Sequence, residues 1–159
     1  LSRFPILHAH NQDVTHLQFE KRGLLHCALE VPGLRQPLHC VCAHLSLFAR
    51  SRRWQMAALA ARIEERVPAD APLLIAGDFN DWRNHADKLL AERLGLSEVF
   101  TGLEQRPPRS FPAALPMFRL DRIYQRGLRF DAGRVHAGPP WSGISDHAAL
   151  SAEFRLAVS

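Results

Sequence analysis

With 159 residues, 47% of them hydrophobic and 23% charged, the chain can bury one substantial core and has the composition of an ordinary globular domain. No apolar run approaches the roughly 20 residues that cross a bilayer, so no transmembrane segment is expected within it. The net charge of +4 suits an anionic partner without naming one.

All of the 20 basic residues except Lys21 and Lys88 are arginine. The guanidinium fork matches phosphate oxygens, although a GC-rich coding sequence would produce the same bias. Cys27, Cys40 and Cys42 are odd in number and form no CxxC pair. Cys40 and Cys42 fall on one face of a predicted strand, and buried free thiols in a reducing, cytoplasmic compartment are expected. Zinc held by Cys40, Cys42 and nearby histidines is the weaker alternative. Residue 1 is Leu, and residues 1–6 already read as mid-fold strand, so a piece of a longer protein is expected.

Residues 14–20 alternate weakly and residues 24–31 more strongly, with Pro32-Gly33 as a turn. Residues 38–45 follow as a strong strand, which predicts an antiparallel hairpin over 24–45. His39 is expected on a sheet face or the surface. His44 falls where the strand meets a basic loop. Residues 51–67 predict a helix capped by Ser51, with Met56, Leu59, Ala60, Ile63 and Val67 on one face. Arg50, Arg52 and Arg53 near its start read equally well as solvated charge or as phosphate contacts.

Residues 73–82 are the pivot of the chain: a short apolar strand, Gly77, and then Asp78, Phe79 and Asn80. In an extended backbone Asp78 and Asn80 share a face while Phe79 turns inward. Such a pair can grip a metal-bound water and a phosphate oxygen together, although an isolated Gly-Asp-x-Asn is more often a turn. A second helix is expected over residues 84–94, stopped by Gly95, and a short strand or turn over 96–102. Residues 104–116 form a loop with four prolines, suited to a rim. Residues 119–125 and 128–137 are expected to pair through Gly127, and 147–156 form the last strand. No repeat or second domain is legible, and the pattern predicts one α/β domain of layered, mostly antiparallel or mixed sheets.

Asp121, in mid-strand, needs a partner if buried. Arg119 or Arg122 could serve, or a histidine that the carboxylate orients and keeps charged. Ser145-Asp146-His147 offers that histidine, although alone it reads as a loop with a surface histidine. Jointly His44, Asp78, Asn80, Asp121, Asp146 and His147 suit magnesium-assisted attack of water on phosphorus.

These segments resemble the endonuclease/exonuclease/phosphatase superfamily with its deoxyribonuclease I-like fold. The likeness lies in Cys42-Ala43-His44-Leu45, Ile75-Ala76-Gly77-Asp78-Phe79-Asn80, Arg119-Leu120-Asp121-Arg122-Ile123 and Gly143-Ile144-Ser145-Asp146-His147. It implies a four-layer α/β/β/α sandwich with an active site at one rim. By resemblance, Asp78 orients or deprotonates the attacking water, and Asn80 positions it and steadies the phosphate. Asp146 contributes to a Mg2+ (or Mn2+) site. His147, held by Asp121, bonds the phosphate, and His44 contacts the phosphate or assists the leaving group. Arg53 is a further candidate phosphate contact. The implied substrate is a phosphodiester or phosphomonoester of nucleic acid, lipid or inositol phosphate. No segment matches the superfamily's early Asn or its metal-binding Glu, so residues 1–159 are expected to be one incomplete, C-terminal portion of the domain. Such a piece is expected to be impaired as a catalyst and to self-associate through uncovered sheet surface. The rival reading is a non-catalytic anion- or nucleic-acid-binding module.

Overall fold

A computed structural model describes residues 1–101 and 107–156. Strands β1 (Ile6–Asp13), β2 (Gly23–Leu29) and β3 (Leu38–His44) form an antiparallel meander. Helix α1 (Ala49–Arg66) crosses over to β4 (Leu73–Asp78), which lies parallel to β3. A parallel pair needs such a crossover, and its consequence is that both strands end at the same edge. After α2 (His85–Leu94) and the short β5 (Ser97–Glu98), β6 (Asp121–Arg126) starts at that edge and runs antiparallel to β4. The six strands are ordered β1-β2-β3-β4-β6-β5, and β7 (Leu128–His136) with β8 (Ala149–Leu156) forms a separate two-stranded sheet.

The alternation of the strands sorts the core. Leu24, Val41, Ala43, Leu73 and Ile75 point to the helical side, where Met56, Leu59, Ala60, Ile63, Leu90 and Leu94 cover them. The opposite face carries Leu25, Cys27, Cys40 and Cys42 and is only partly covered. The three thiols are free, with Cys27 and Cys40 half-buried and Cys42 exposed, where the sequence led one to expect burial. Burial still pushes the Cys40 thiol up to about 11. Among the described residues no group of three His, Cys, Asp or Glu side chains has the arrangement of a metal cage, which leaves the zinc alternative without support.

Four boundaries differ from expectation, each for a local reason. Residues 14–20 are not a strand, because the Asp13 carboxylate accepts the Thr15 N–H at 2.7 Å and turns the chain. Helix α1 begins two residues before Ser51, with Phe48 as an extended N-cap that has no side-chain cap. Ser51 is buried within the first turn and bonds the His16 ring at 2.9 Å. Strand β7 pairs with β8 and not with β6. The single residue Gly127 (φ 76°) is too short for a hairpin loop and instead steers the chain from one sheet to the other, against Pro72. The last strand starts at Ala149, leaving His147 in the loop before it. The expected segments 96–102 and 104–116 lie partly outside the described residues.

Beneath α1 the rings of His26 and His39 meet at 2.9 Å, both buried. Burial, aided by the neighbouring charges of His39 and Arg62, lowers His26 from 6.5 to about 4, and burial moves His39 in the same direction. A histidine buried neutral is protonated more readily in the unfolded chain. Its contribution is therefore complete above pH 6.5 and is lost as pH falls towards 4. Urea midpoints should drop across that window by the equivalent of about 3 kcal/mol in full, and His26→Gln should flatten the dependence. An unchanged slope in that variant would assign the acid lability to other groups.

Candidate active site

The parallel β3–β4 pair and the antiparallel β6 put three polar residues in one row across the sheet edge: His44 opposite Asp78, and Asp78 opposite Asp121. Residues in register on adjacent strands point to the same face, so the row projects three side chains together. Before it, Gly77 has φ 144°, and a Cβ there would sit 1.9 Å from the Ala43 carbonyl oxygen. The close approach of β3 and β4 just short of the row requires that missing side chain.

Strand β4 stops at Asp78, and the extended alternation expected through Asn80 does not occur. Asn80 adopts φ 46°, a left-handed conformation that Asn tolerates. The Asp78 Oδ1 accepts the Asn80 N–H at 2.8 Å, which forms an Asx turn. The same turn brings the Asn80 amide back over Asp78. Its Nδ2 donates to Asp78 Oδ2 at 3.1 Å and to the Leu45 carbonyl at 2.9 Å. The turn-former reading of this motif is therefore met, and the turn itself holds the two side chains together. Phe79 is fully buried against Tyr124, with ring centroids 5.1 Å apart.

Asp121 binds His147 and neither arginine: its Oδ2 lies 2.6 Å from His147 Nδ1. Arg119 pairs with Asp87 and Glu98, and Arg122 with Asp81 and Asp87. The loop bearing His147 is clamped from residues 110–113. Ala148 donates its N–H to the Ser110 carbonyl at 2.7 Å, and Ala113 donates to the Asp146 carbonyl at 2.7 Å. Ser110 Oγ accepts the Asp121 N–H at 3.1 Å, and the Phe111 ring lies 4.9 Å from the imidazole of His147. On the other side, His44 Nε2 is 3.5 Å from Asp78 Oδ2.

His44, Asp78, Asn80, Asp121, Asp146 and His147 thus line one cavity of about 500 Å3, joined by Arg22, Leu47, Trp82, Phe111, Leu120 and Ser145. Arg53 is not among them and lines a neighbouring groove. Glu20 is placed outside the cavity's lining, where it takes an ion pair from Arg22 at 2.9 Å and a hydrogen bond from Ser46 Oγ. It ties down the loop after His44. Sequence reading did not single out Ser110, Phe111, Trp82 or Arg22 for the site. Only the position of Ser110-Phe111 within the proline loop pointed to a rim.

Burial raises the Asp78 carboxyl above 3.8, and the nearby Asp121 charge adds to this against the Asn80 N–H bond and the two histidines. Burial works against a charged His147, but the Asp121 hydrogen bond and the charges of Asp121, Asp78 and Asp146 outweigh it, so its pKa lies above 6.5. Three carboxylates, Asp78, Asp121 and Asp146, line the one cavity. An oxygen donor set of this kind fits magnesium, which takes one or two carboxylates and keeps its waters. Asp146, exposed at the mouth, would hold such an ion.

A mixed six-stranded sheet with helices on one face, carrying His44, Asp78 and Asp121 in register at one edge, defines a layered α/β protein. The chain belongs to the Endonuclease/Exonuclease/phosphatase family, whose pattern it matches over residues 1–147. It is 44% identical over 156 residues to "Uncharacterized protein YbhP" of Escherichia coli K12, covering 98% of this chain and 61% of that protein. The chain therefore spans about three fifths of the length of that curated relative. The fold is shared with an endonuclease/exonuclease/phosphatase from Bacteroides vulgatus (TM-score 0.79, 15% identity, 97% of this chain and 67% of that one). It is shared too with the human Nocturnin catalytic domain (TM-score 0.75, 20% identity, 98% and 60%).

Proposed function

We propose that the protein of which this chain forms the whole or a part is a divalent-metal-dependent phosphoesterase that cleaves its substrate by direct attack of water. The observation that carries this reading is the convergence of Asp78, Asn80 and the Asp121–His147 pair, 2.6 Å apart, on one cavity. Asp78, with its basicity raised by burial, accepts a proton from the attacking water. Both amide hydrogens of Asn80 are committed to Leu45 and Asp78, so its Oδ1 is the atom that accepts a hydrogen bond from that water. The charged His147 donates from Nε2 to the phosphoryl oxygen as negative charge develops there, the largest expected contribution in such a site. Asp121 fixes its ring by accepting the hydrogen bond from Nδ1–H. His44 donates to the departing oxygen, a role supported by its 58% exposure and its position beside Asp78. A bound magnesium supplies Lewis-acid polarisation of the phosphoryl oxygens.

The test is release of nitrophenol from bis-nitrophenyl phosphate and from nitrophenyl phosphate, with magnesium and with a chelator. Hydrolysis should vanish on chelation and return with magnesium. The rate should form a plateau that falls as acid protonates Asp78, at a pH above 3.8, and as base deprotonates His147, at a pH above 6.5. Turnover indifferent to both chelator and pH would remove the proposal.

A further inference from the structure

A second cavity of about 700 Å3 lies between α1 and α2. Met56 and Leu89 give it an apolar floor, and Arg52, Arg53 and Arg83 line it. Trp82, 47% exposed, lines both this groove and the catalytic cavity, so the two spaces adjoin across one indole. The groove's one carboxylate, Asp81, is already engaged by the Ala86 N–H at 2.7 Å and by buried Arg122. Among the described residues no carboxylate pairs with Arg53 or Arg83. Arg52 is held in place by hydrogen bonds of 2.9 Å to the Ser46 and Leu47 carbonyls.

Helix stability does not explain these arginines. Arg52 and Arg53 sit at the start of α1, whose first turn holds no acidic residue, and Arg83 lies just before α2, both helix ends where the dipole disfavours cations. Guanidinium forks flanking a flat indole match a ligand that alternates phosphates with planar rings. Acyl chains would instead meet the charged rim.

We propose that this groove is a subsite for single-stranded nucleic acid: Arg53 and Arg83 hold the phosphate next to the one in the catalytic cavity, and a base stacks on Trp82. The assignment of the scissile phosphate rests on the phosphoesterase reading, but occupancy of the groove does not require turnover. Fluorescence anisotropy of a labelled oligothymidylate of about ten nucleotides, measured with the full chain in chelator across a salt series, reads the groove alone. Arg53→Ala/Arg83→Ala should bind roughly tenfold more weakly and lower the slope of log affinity against log salt by about 1.4. Arg66→Ala, at the far end of α1, should remain within about twofold of the parent. An unchanged slope in the double variant, or an equal loss in Arg66→Ala, would overturn the subsite. So would binding to phosphatidylglycerol vesicles with none to the oligonucleotide. Because no metal or hydrolysis is involved, these outcomes leave the magnesium-dependent assay to decide the catalytic reading separately.

Discussion

Asp78→Asn should lower magnesium-dependent hydrolysis by about a thousandfold while leaving the fold intact. The substitution keeps the shape of the side chain, and its amide oxygen can still accept the Asn80 N–H that closes the turn, while the bond from Asn80 Nδ2 to the second oxygen is lost. What it removes is the basic oxygen facing the cavity and one unit of negative charge between His44, Asp121 and His147. Desolvation and the Asp121 charge are what make that carboxylate a better base than an exposed aspartate, so the loss should fall on kcat rather than on KM. Steady-state kinetics of the variant, beside its melting curve, separates the two. A variant with ordinary kcat would show that another group takes the proton.

Arg122→Met should be the most damaging single change to stability, at about 3–5 kcal/mol. The Arg122 side chain has no exposed surface, and its guanidinium bonds the Asp81 carbonyl at 2.7 Å, Asn84 Oδ1 at 2.8 Å and Asp87 Oδ1 at 3.0 Å. Tyr124 donates to the same Asp87 oxygen at 2.5 Å. Removing the cation leaves the buried Asp81 carboxylate without its counter-charge and the partly buried Asp87 with Arg119 alone, and a methionine offers no donor to the Asp81 carbonyl. Arg122→Met with Asp87→Asn should recover part of the loss, because one uncompensated charge is gone. Thermal melts of the two variants measure both effects; a double variant no better than the single would place the cost in packing rather than charge. The network also anchors the loop that carries Trp82, so the damage should extend to both cavities.

The core was legible because its residues obey simple periods. Met56, Leu59, Ala60 and Ile63 fall at helical spacing and are buried together, and Gly95 ends α2 in a left-handed conformation as its sequence suggests. The meander of β2 and β3 was legible for the same reason. Local signals failed where tertiary contacts decided. Nothing in residues 14–20 shows that Val14 will accept Gln55 from α1 at 3.0 Å, and nothing near Gly127 shows which strand β7 will join. Within the site, Asp78, Asn80, Asp121 and His147 were legible as separate strand-end groups. Their meeting depends on a parallel β3–β4 pair and an antiparallel β6, which residue patterns do not specify. The clamps on His147 were illegible because they are backbone bonds, from Ala148 to the Ser110 carbonyl and from Ala113 to the Asp146 carbonyl. Arg53 was grouped with the phosphate contacts because it is near His44 in sequence, yet the turn of the helix carries it to the groove beside Trp82.

The central claim is that groups 69 positions apart, Asp78 and His147, act on one phosphate as a unit. Kinetics of Asp78→Asn, His147→Ala and the double variant with magnesium test it most directly. Side chains that serve a single transition state lose their effect together, so the double variant should be no more than about threefold slower than the slower single one. Losses that multiply would show two groups working independently and would contradict the shared site.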